Sequence, residues 1–335
     1  MSCEKDAAHQ KEKPRPLLSA RDLRIGFTHT DGSGRMGLAV DGVCLDLERG
    51  ESLCLVGESG CGKSVTALSL LRLLPSPPSR LVSGSICFDG QELTTLPEQA
   101  LRRLRGNRAA MIFQDPMTSL NPVMRVAAQM GEALRLHQGA SRAKARAAAV
   151  AMLERVGIAD AAKRADDYPH QMSGGMRQRV MIGMALMCSP DLLIADEPTT
   201  ALDVTVQRQI LHLMRELMQE AGSALLLITH DFDVVARIAD NVAVMYAGQI
   251  VEQGPAARLL ELPAHPYTEG LLLSRPGRAE RKERLFAIPG TVPDIWSKPC
   301  GCAFHPRCAK ALARCRQEAP PFFAQSGCRC WLYAP

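Results

Sequence analysis

The chain has 335 residues, 46% hydrophobic and 22% charged, with a formal net charge of +5. This is the composition of a globular protein with ample core, and it excludes a low-complexity or fibrous chain. The slight charge gives no reason to expect nucleic acid as the main partner, and no apolar run reaches the length of a membrane span.

Residues 1–16 are polar, charged and proline-containing, without the apolar stretch of a secretion signal. They are expected to be disordered, and the protein cytoplasmic with its twelve cysteines mostly reduced. Leu17 to Phe27 alternates like a strand. Phe27 reads equally well as a half-buried strand residue and as a flat apolar face for an adenine ring. Asp31-Gly32-Ser33-Gly34 reads as a turn, and Leu38 to Leu47 as a second strand.

Ser52-Leu53-Cys54-Leu55-Val56 reads as a buried strand that runs into Gly57-Glu58-Ser59-Gly60-Cys61-Gly62-Lys63-Ser64, with a helix from Val65 to Leu74. The octapeptide fits G-x-x-x-x-G-K-[ST], the phosphate-binding loop. Glycines let backbone N–H groups approach the phosphates, Lys63 supplies a point charge, the Ser64 hydroxyl can ligate Mg²⁺, and the helix N-terminus favours an anion. The Cys61 thiol, beside Lys63 and that N-terminus, is expected to be held toward the thiolate and open to alkylation.

Further on, Gly84 to Phe88 with Asp89-Gly90 predicts a strand and tight turn, and Leu96 to Gly106 a basic helix with a solvated face. Ala109 to Phe113 reads as a strand ending at Gln114, which can reach a nucleotide-bound Mg²⁺ or its water. Asn121 to Ala165 has helical periodicity, with Met124, Met130 and Met152 expected in the core. Ser173-Gly174-Gly175 before the apolar helix Val180 to Met187 is a second candidate anion site.

Asp191 to Asp196 is an apolar strand ending in Asp196-Glu197, and such a run suits a parallel sheet whose carboxyl end faces a ligand. Asp196 would hold Mg²⁺, and Glu197 would polarise an attacking water. Asp203 precedes the helix Val204 to Glu220, and the strand Ala224 to Thr229 ends at His230, placed to hydrogen-bond a γ-phosphate. Val242 to Tyr246 and Val251 to Gly254 read as closing strands.

This order of motifs resembles the ATP-binding subunit of ATP-binding-cassette (ABC) transporters over residues 17 to 275. The resemblance maps Gly57 to Ser64, with Val65 following, onto the Walker A loop, and Gln114 onto the Q-loop. Ser173-Gly174-Gly175-Met176 maps onto the signature, Asp196 and Glu197 onto Walker B, Asp203 onto the D-loop and His230 onto the switch. Met172 and Met176 depart from the commonest signature, which has Leu and Gln there. The implied fold is α/β: a P-loop NTPase with a RecA-like core, an antiparallel β subdomain and a helical subdomain at about 115–185. Gln114-Asp115-Pro116-Met117-Thr118-Ser119-Leu120-Asn121-Pro122 and His265-Pro266-Tyr267-Thr268 look like the peptide and nickel importer branch. That branch implies ATP and Mg²⁺ as ligands, a dimer with a second, similar ATPase subunit, two membrane permease subunits and a periplasmic or surface peptide-binding protein. The expected place is the cytoplasmic face of the inner membrane. Nickel import and a soluble ABC ATPase acting on nucleic acid or ribosomes are the rival readings; a soluble ABC ATPase would expect two cassettes or a coiled-coil insertion, and neither is found.

Six cysteines lie in the extension 276–335: Cys300, Cys302, Cys308, Cys315, Cys328 and Cys330. Their spacings are not paired C-x-x-C knuckles, and a cytoplasmic setting disfavours disulfides. The segment resembles the cysteine tail of dipeptide and oligopeptide importer ATPases. That family implies a [4Fe-4S] cluster, here on Cys302, Cys308, Cys315 and Cys330, and Arg275, Arg278, Arg281, Lys282 and Arg284 read as a solvated linker into the tail.

Overall fold

The computed structural model describes residues 15–29, 34–114, 119–199, 203–275 and 286–334. The turn residues Asp31 to Ser33, the Q-loop residues Asp115 to Thr118 and the basic positions 278–284 lie outside the described residues, as does most of the segment 1–16.

Two sheets organise the chain. An antiparallel sheet has the order β2-β1-β4-β5, from β1 (Leu18–Thr28), β2 (Met36–Leu47), β4 (Ser79–Phe88) and β5 (Gln91–Glu92). A six-stranded sheet has the order β10-β9-β3-β8-β7-β6. Its strands are β3 (Ser52–Val56), β6 (Ala109–Ile112), β7 (Leu192–Asp196), β8 (Ala224–Thr229), β9 (Asn241–Tyr246) and β10 (Gln249–Pro255). All its pairings are parallel except β9 with β10. Parallel strands are covered on both faces, which explains their unbroken apolar sequences. Alternation along each strand sends Leu53, Leu55, Ile194 and Leu226 to one core and Cys54, Val56, Leu193 and Leu227 to the other.

The helices are α1 (Lys63–Leu70), α2 (Glu98–Leu104), α3 (Val126–Met130), α4 (Glu132–Gln138), α5 (Arg142–Arg155), α6 (Ala161–Arg164), α7 (Gly174–Leu186) and α8 (Val204–Ala221). Three more, α9 (Phe232–Ile238), α10 (Ala256–Glu261) and α11 (Pro266–Leu273), carry no expectation from the sequence. Helices α3 to α7 form a helical layer, with Met130 and Met152 buried. Met124 is half-buried and lies outside the core expected for it, because the chain enters α3 only two residues later. Helix α1 stops at Leu70, short of Leu74, where the chain turns through Arg72 at positive φ.

The carboxyl ends of β3, β6, β7 and β8 all point to one edge of the parallel sheet. Ligands of open α/β sheets bind at such an edge.

The C-terminal extension has little regular structure and docks on this framework. Arg329 donates its backbone N–H to Val251 O at 2.8 Å, and Gln253 donates to Gly327 O at 2.8 Å, so the tail pairs with the β10 edge. Phe304 enters the main core against Tyr246 and Tyr267, at centroid separations of 5.2 and 5.3 Å. The extension thus borrows a core it lacks residues to build alone.

Candidate functional site

The loop after β3 is shaped by what it leaves no room for. A Cβ on Gly57 would lie 2.3 Å from the Met245 carbonyl oxygen, and Gly62, at φ 109°, would place one 2.5 Å from Ala39 O. Only glycine fits either position. Gly62 caps α1 without a side chain, leaving the first N–H groups of the helix facing the loop.

Lys63 is buried, and its Nζ donates to Gly57 O at 2.8 Å and Glu58 O at 2.9 Å. The ammonium thus sits inside the loop. Ser64 Oγ donates to Asp196 Oδ1 at 3.1 Å, joining the start of α1 to the end of β7. Asp196 is only 5% exposed, and burial raises its carboxyl pKa above the ordinary value, more than the Ser64 hydrogen bond lowers it. A hydroxyl beside a buried carboxylate is a donor set suited to a hard divalent cation such as Mg²⁺. Such an ion, when bound, neutralises phosphate charge.

At the neighbouring strand ends, Gln114 Nε2 donates to Glu197 Oε2 at 3.4 Å, and His230 Nδ1 lies 3.4 Å from the same oxygen. Glu197 adopts φ 44°, a left-handed conformation that costs a non-glycine residue strain, while its N–H donates to Ile228 O at 3.0 Å. Gln114, Glu197 and His230 line a cleft of about 470 Å³ with Gly57, Glu58, Ser59 and Leu271. A larger cavity of about 690 Å³ lies between β6 and the helical layer, but most of its lining is apolar, with Ala110, Met111 and Met181 among it.

Other expected residues lie elsewhere. Ser173 caps α7, accepting from Met176 N at 3.3 Å, with Gly174 beside it in open space; Gly175 faces α8 across Val206. Asp203 caps α8, its Oδ1 accepting from Thr205 N and Val206 N at 3.0 Å. None of these four lines the phosphate-loop cleft. Phe27 packs half-buried against the core, opposite Gly37 in the β1–β2 ladder, and Val65 also packs half-buried.

The Cys61 expectation is corrected. Its side chain is buried, and desolvation raises the thiol pKa more than Lys63 lowers it. The neighbouring charge was legible in the sequence; the burial was not.

The sequence also missed the contribution of the C-terminal region. Glu58 N donates to the Tyr267 hydroxyl of α11 at 2.8 Å, and both Glu58 carboxylate oxygens accept from Arg307. His265-Pro266-Tyr267-Thr268 resembled a C-terminal extension of the importer branch but gave no sign that it touches the phosphate loop.

In the tail, Cys302 is half-buried, within electrostatic reach of Cys315, Cys330 and Cys308, and burial pushes its thiol up to about 11. The Cys330 thiol is engaged with Cys328, which lowers the Cys330 pKa and raises that of Cys328. Among the described residues no three His, Cys, Asp or Glu side chains are set to hold a metal ion. The four expected thiols are therefore gathered but not arranged as ligands, and the expected ligand geometry is not met.

Comparison with known proteins accords with the motif order. Residues 40–200 match the ABC transporter family model, and residues 251–315 match the oligopeptide/dipeptide transporter C-terminal region. A Brucella melitensis protein named as a peptide import ATP-binding protein is 50% identical over 329 residues, spanning 94% of this chain and 96% of its own. A Sinorhizobium fredii protein named as a peptide ABC transporter ATP-binding protein is 52% identical over 305 residues, spanning 91% of this chain and 90% of its own. Among solved structures, a dimeric ATP-binding cassette in a post-hydrolysis state with ADP and Pi aligns with a TM-score of 0.64 at 25% identity, over 72% of this chain and 99% of that one. The cbiO1 protein of Clostridium perfringens, part of the ABC transporter complex cbiONQ, aligns with a TM-score of 0.61 at 27% identity, over 74% and 92% of the two chains. The chain belongs to the ABC transporter family as an ATP-binding protein, and it carries the oligopeptide/dipeptide transporter C-terminal region.

Proposed function

We propose that this protein hydrolyses ATP to power peptide import by an ABC transporter complex. The observation that carries the reading is one chain holding both the phosphate-loop cleft and the docked C-terminal region, with relatives at about 50% identity named for peptide import. No helix among the described residues is long and apolar enough to cross a membrane. The partners we assign are two permease subunits, a second ATPase subunit and a peptide-binding protein, with this chain on the cytoplasmic face of the inner membrane.

In this reading Lys63 and the amides of Gly60, Gly62 and Ser64 hold the β- and γ-phosphates, with Ser59 and Cys61 completing the loop. Ser64 and Asp196, together with Gln114, face the Mg²⁺ that accompanies ATP. Glu197 accepts the proton of the attacking water, oriented by Gln114 and His230. Ser173, Gly174 and Gly175, which do not line the cleft, serve the nucleotide of the partner subunit, with Asp203 at the same junction. Phe27 offers its ring to the adenine.

The test is purification of the tagged protein from membranes, followed by reconstitution in vesicles. Co-purifying permease subunits and ATP turnover stimulated by a peptide-loaded binding protein are the expected results. Stimulation by nickel and not by peptide would overturn the peptide assignment.

For the tail, the proximity of Cys302 to Cys308, Cys315 and Cys330 favours a second reading, a [4Fe-4S] cluster formed when iron and sulfide draw these thiols together. Iron and acid-labile sulfide in anaerobically purified protein, lost in Cys302→Ser, would support it. Zinc, or no metal, would overturn it.

A further inference from the structure

The phosphate loop contains a carboxylate, Glu58, where a polyanionic nucleotide must bind. A free carboxylate there would repel the phosphates. Arg307, 249 residues further along the chain, meets it with both ends of its guanidinium: Nη1 donates to Oε2 at 2.7 Å and Nη2 to Oε1 at 2.9 Å. This fork-to-fork pairing fixes orientation as well as charge.

The guanidinium is itself held. Its Nε donates to Pro289 O at 2.8 Å, Nη2 also reaches Ile288 O at 3.4 Å, and its carbon lies 5.8 Å from the centroid of the Tyr246 ring. The Arg307 side chain is 5% exposed. On the other side of the same residue, the Glu58 N–H donates to Tyr267. Glu58 is therefore held through its backbone and its carboxylate by two residues of the C-terminal region.

We propose that Arg307 is a positioning residue for nucleotide binding: it neutralises Glu58 and holds it back, so that ATP meets a phosphate loop free of competing negative charge. The extension then acts on ATP affinity from outside the cassette motifs. This rests on ATP binding in the loop and not on the identity of the transported solute.

The experiment is calorimetric titration of the full-length protein with Mg-ATP, comparing the parent, Arg307→Met, Glu58→Gln and the double variant. Methionine keeps the packing against Tyr246 without the charge. Arg307→Met is expected to raise Kd about tenfold, and adding Glu58→Gln to bring Kd back to within about threefold of the parent, as expected for two directly coupled groups. A merely structural arginine predicts no rescue, because removing the Glu58 charge repairs no packing. An unchanged Kd in Arg307→Met, or a double variant as weak as the single, overturns the proposal. Should Arg307→Met fail to fold, Arg307→Gln decides through the same pair of measurements, since it removes the cation but keeps a donor for Glu58.

Discussion

The Ser64 hydroxyl donates to Asp196 Oδ1 over 3.1 Å, although 132 residues separate the two in the chain. Asp196 is buried, and its desolvation raises the carboxyl pKa despite that hydrogen bond. The folded protein therefore holds a proton on this group at pH values where the unfolded chain has released it. Stability contributed by the group falls as pH rises above the ordinary carboxylate pKa, and the cost is complete once the folded group has ionised. Asp196→Asn removes the buried charge. The nucleotide-free variant is expected to melt above the parent at pH 7, yet to gain much less from added Mg-ATP. Differential scanning fluorimetry with and without Mg-ATP checks both halves, and a lower melting temperature without nucleotide would contradict the first.

Glu197 shares one carboxylate oxygen between Gln114 and His230, each at 3.4 Å. As the proposed base it is separable from the groups that hold phosphate. Glu197→Gln should keep ATP affinity within a few-fold while turnover drops by about 10²–10⁴-fold, the range for loss of a positioned base. Lys63→Ala should instead lose binding, because it removes the charge inside the loop. Binding titrations beside single-turnover hydrolysis separate the two, and near-parent turnover in Glu197→Gln would dismiss it as the base.

Thiol chemistry provides a third check. Cys44 and Cys300 are exposed, whereas Cys61 is buried with a raised pKa. Brief alkylation of the folded protein should label the two exposed thiols first and leave Cys61 to react only on unfolding. Peptide mass mapping over time reads this directly. Early labelling of Cys61, blocked by Mg-ATP, would restore the reactive-thiol reading.

The sheet was legible because buried parallel strands leave unbroken apolar runs, and Ser52–Val56 and Ala224–Thr229 match their strands residue for residue. The phosphate loop was legible because its spacing is fixed by contact with a ligand. Helices α9 to α11 were not, since each is six to eight residues long and takes its order from packing rather than from a periodic face. The same holds for the site. Gln114, Glu197 and His230 each end a strand, so their convergence follows from a parallel sheet. Arg307 and Tyr267 reach Glu58 through tertiary docking, which leaves no local pattern.

His265 links that docking to pH. Its Nδ1 accepts from Tyr267 N at 3.0 Å as the N-cap of α11, and only the neutral tautomer with its proton on Nε2 can accept there. The ring lies 5.6 Å from Phe304, and the backbone N–H groups of His265 and Ala264 donate to the buried Glu252 carboxylate. Complete burial lowers the His265 pKa from 6.5 to about 3. The unfolded chain thus takes up a proton on this residue well before the folded protein does. Its contribution to stability is full above pH 6.5 and is lost as pH falls toward 3. One such group supplies about 1.4 kcal/mol per pH unit within that window, hence about 2 kcal/mol between pH 6.5 and 5. His265→Asn keeps a side-chain acceptor for the cap but cannot titrate. The variant is expected to be less stable than the parent at pH 7, because asparagine fills the site poorly, and to lose about 2 kcal/mol less on going to pH 5. Urea unfolding at the two pH values measures that difference in slope, and equal slopes for parent and variant would show that His265 does not set the acid limb.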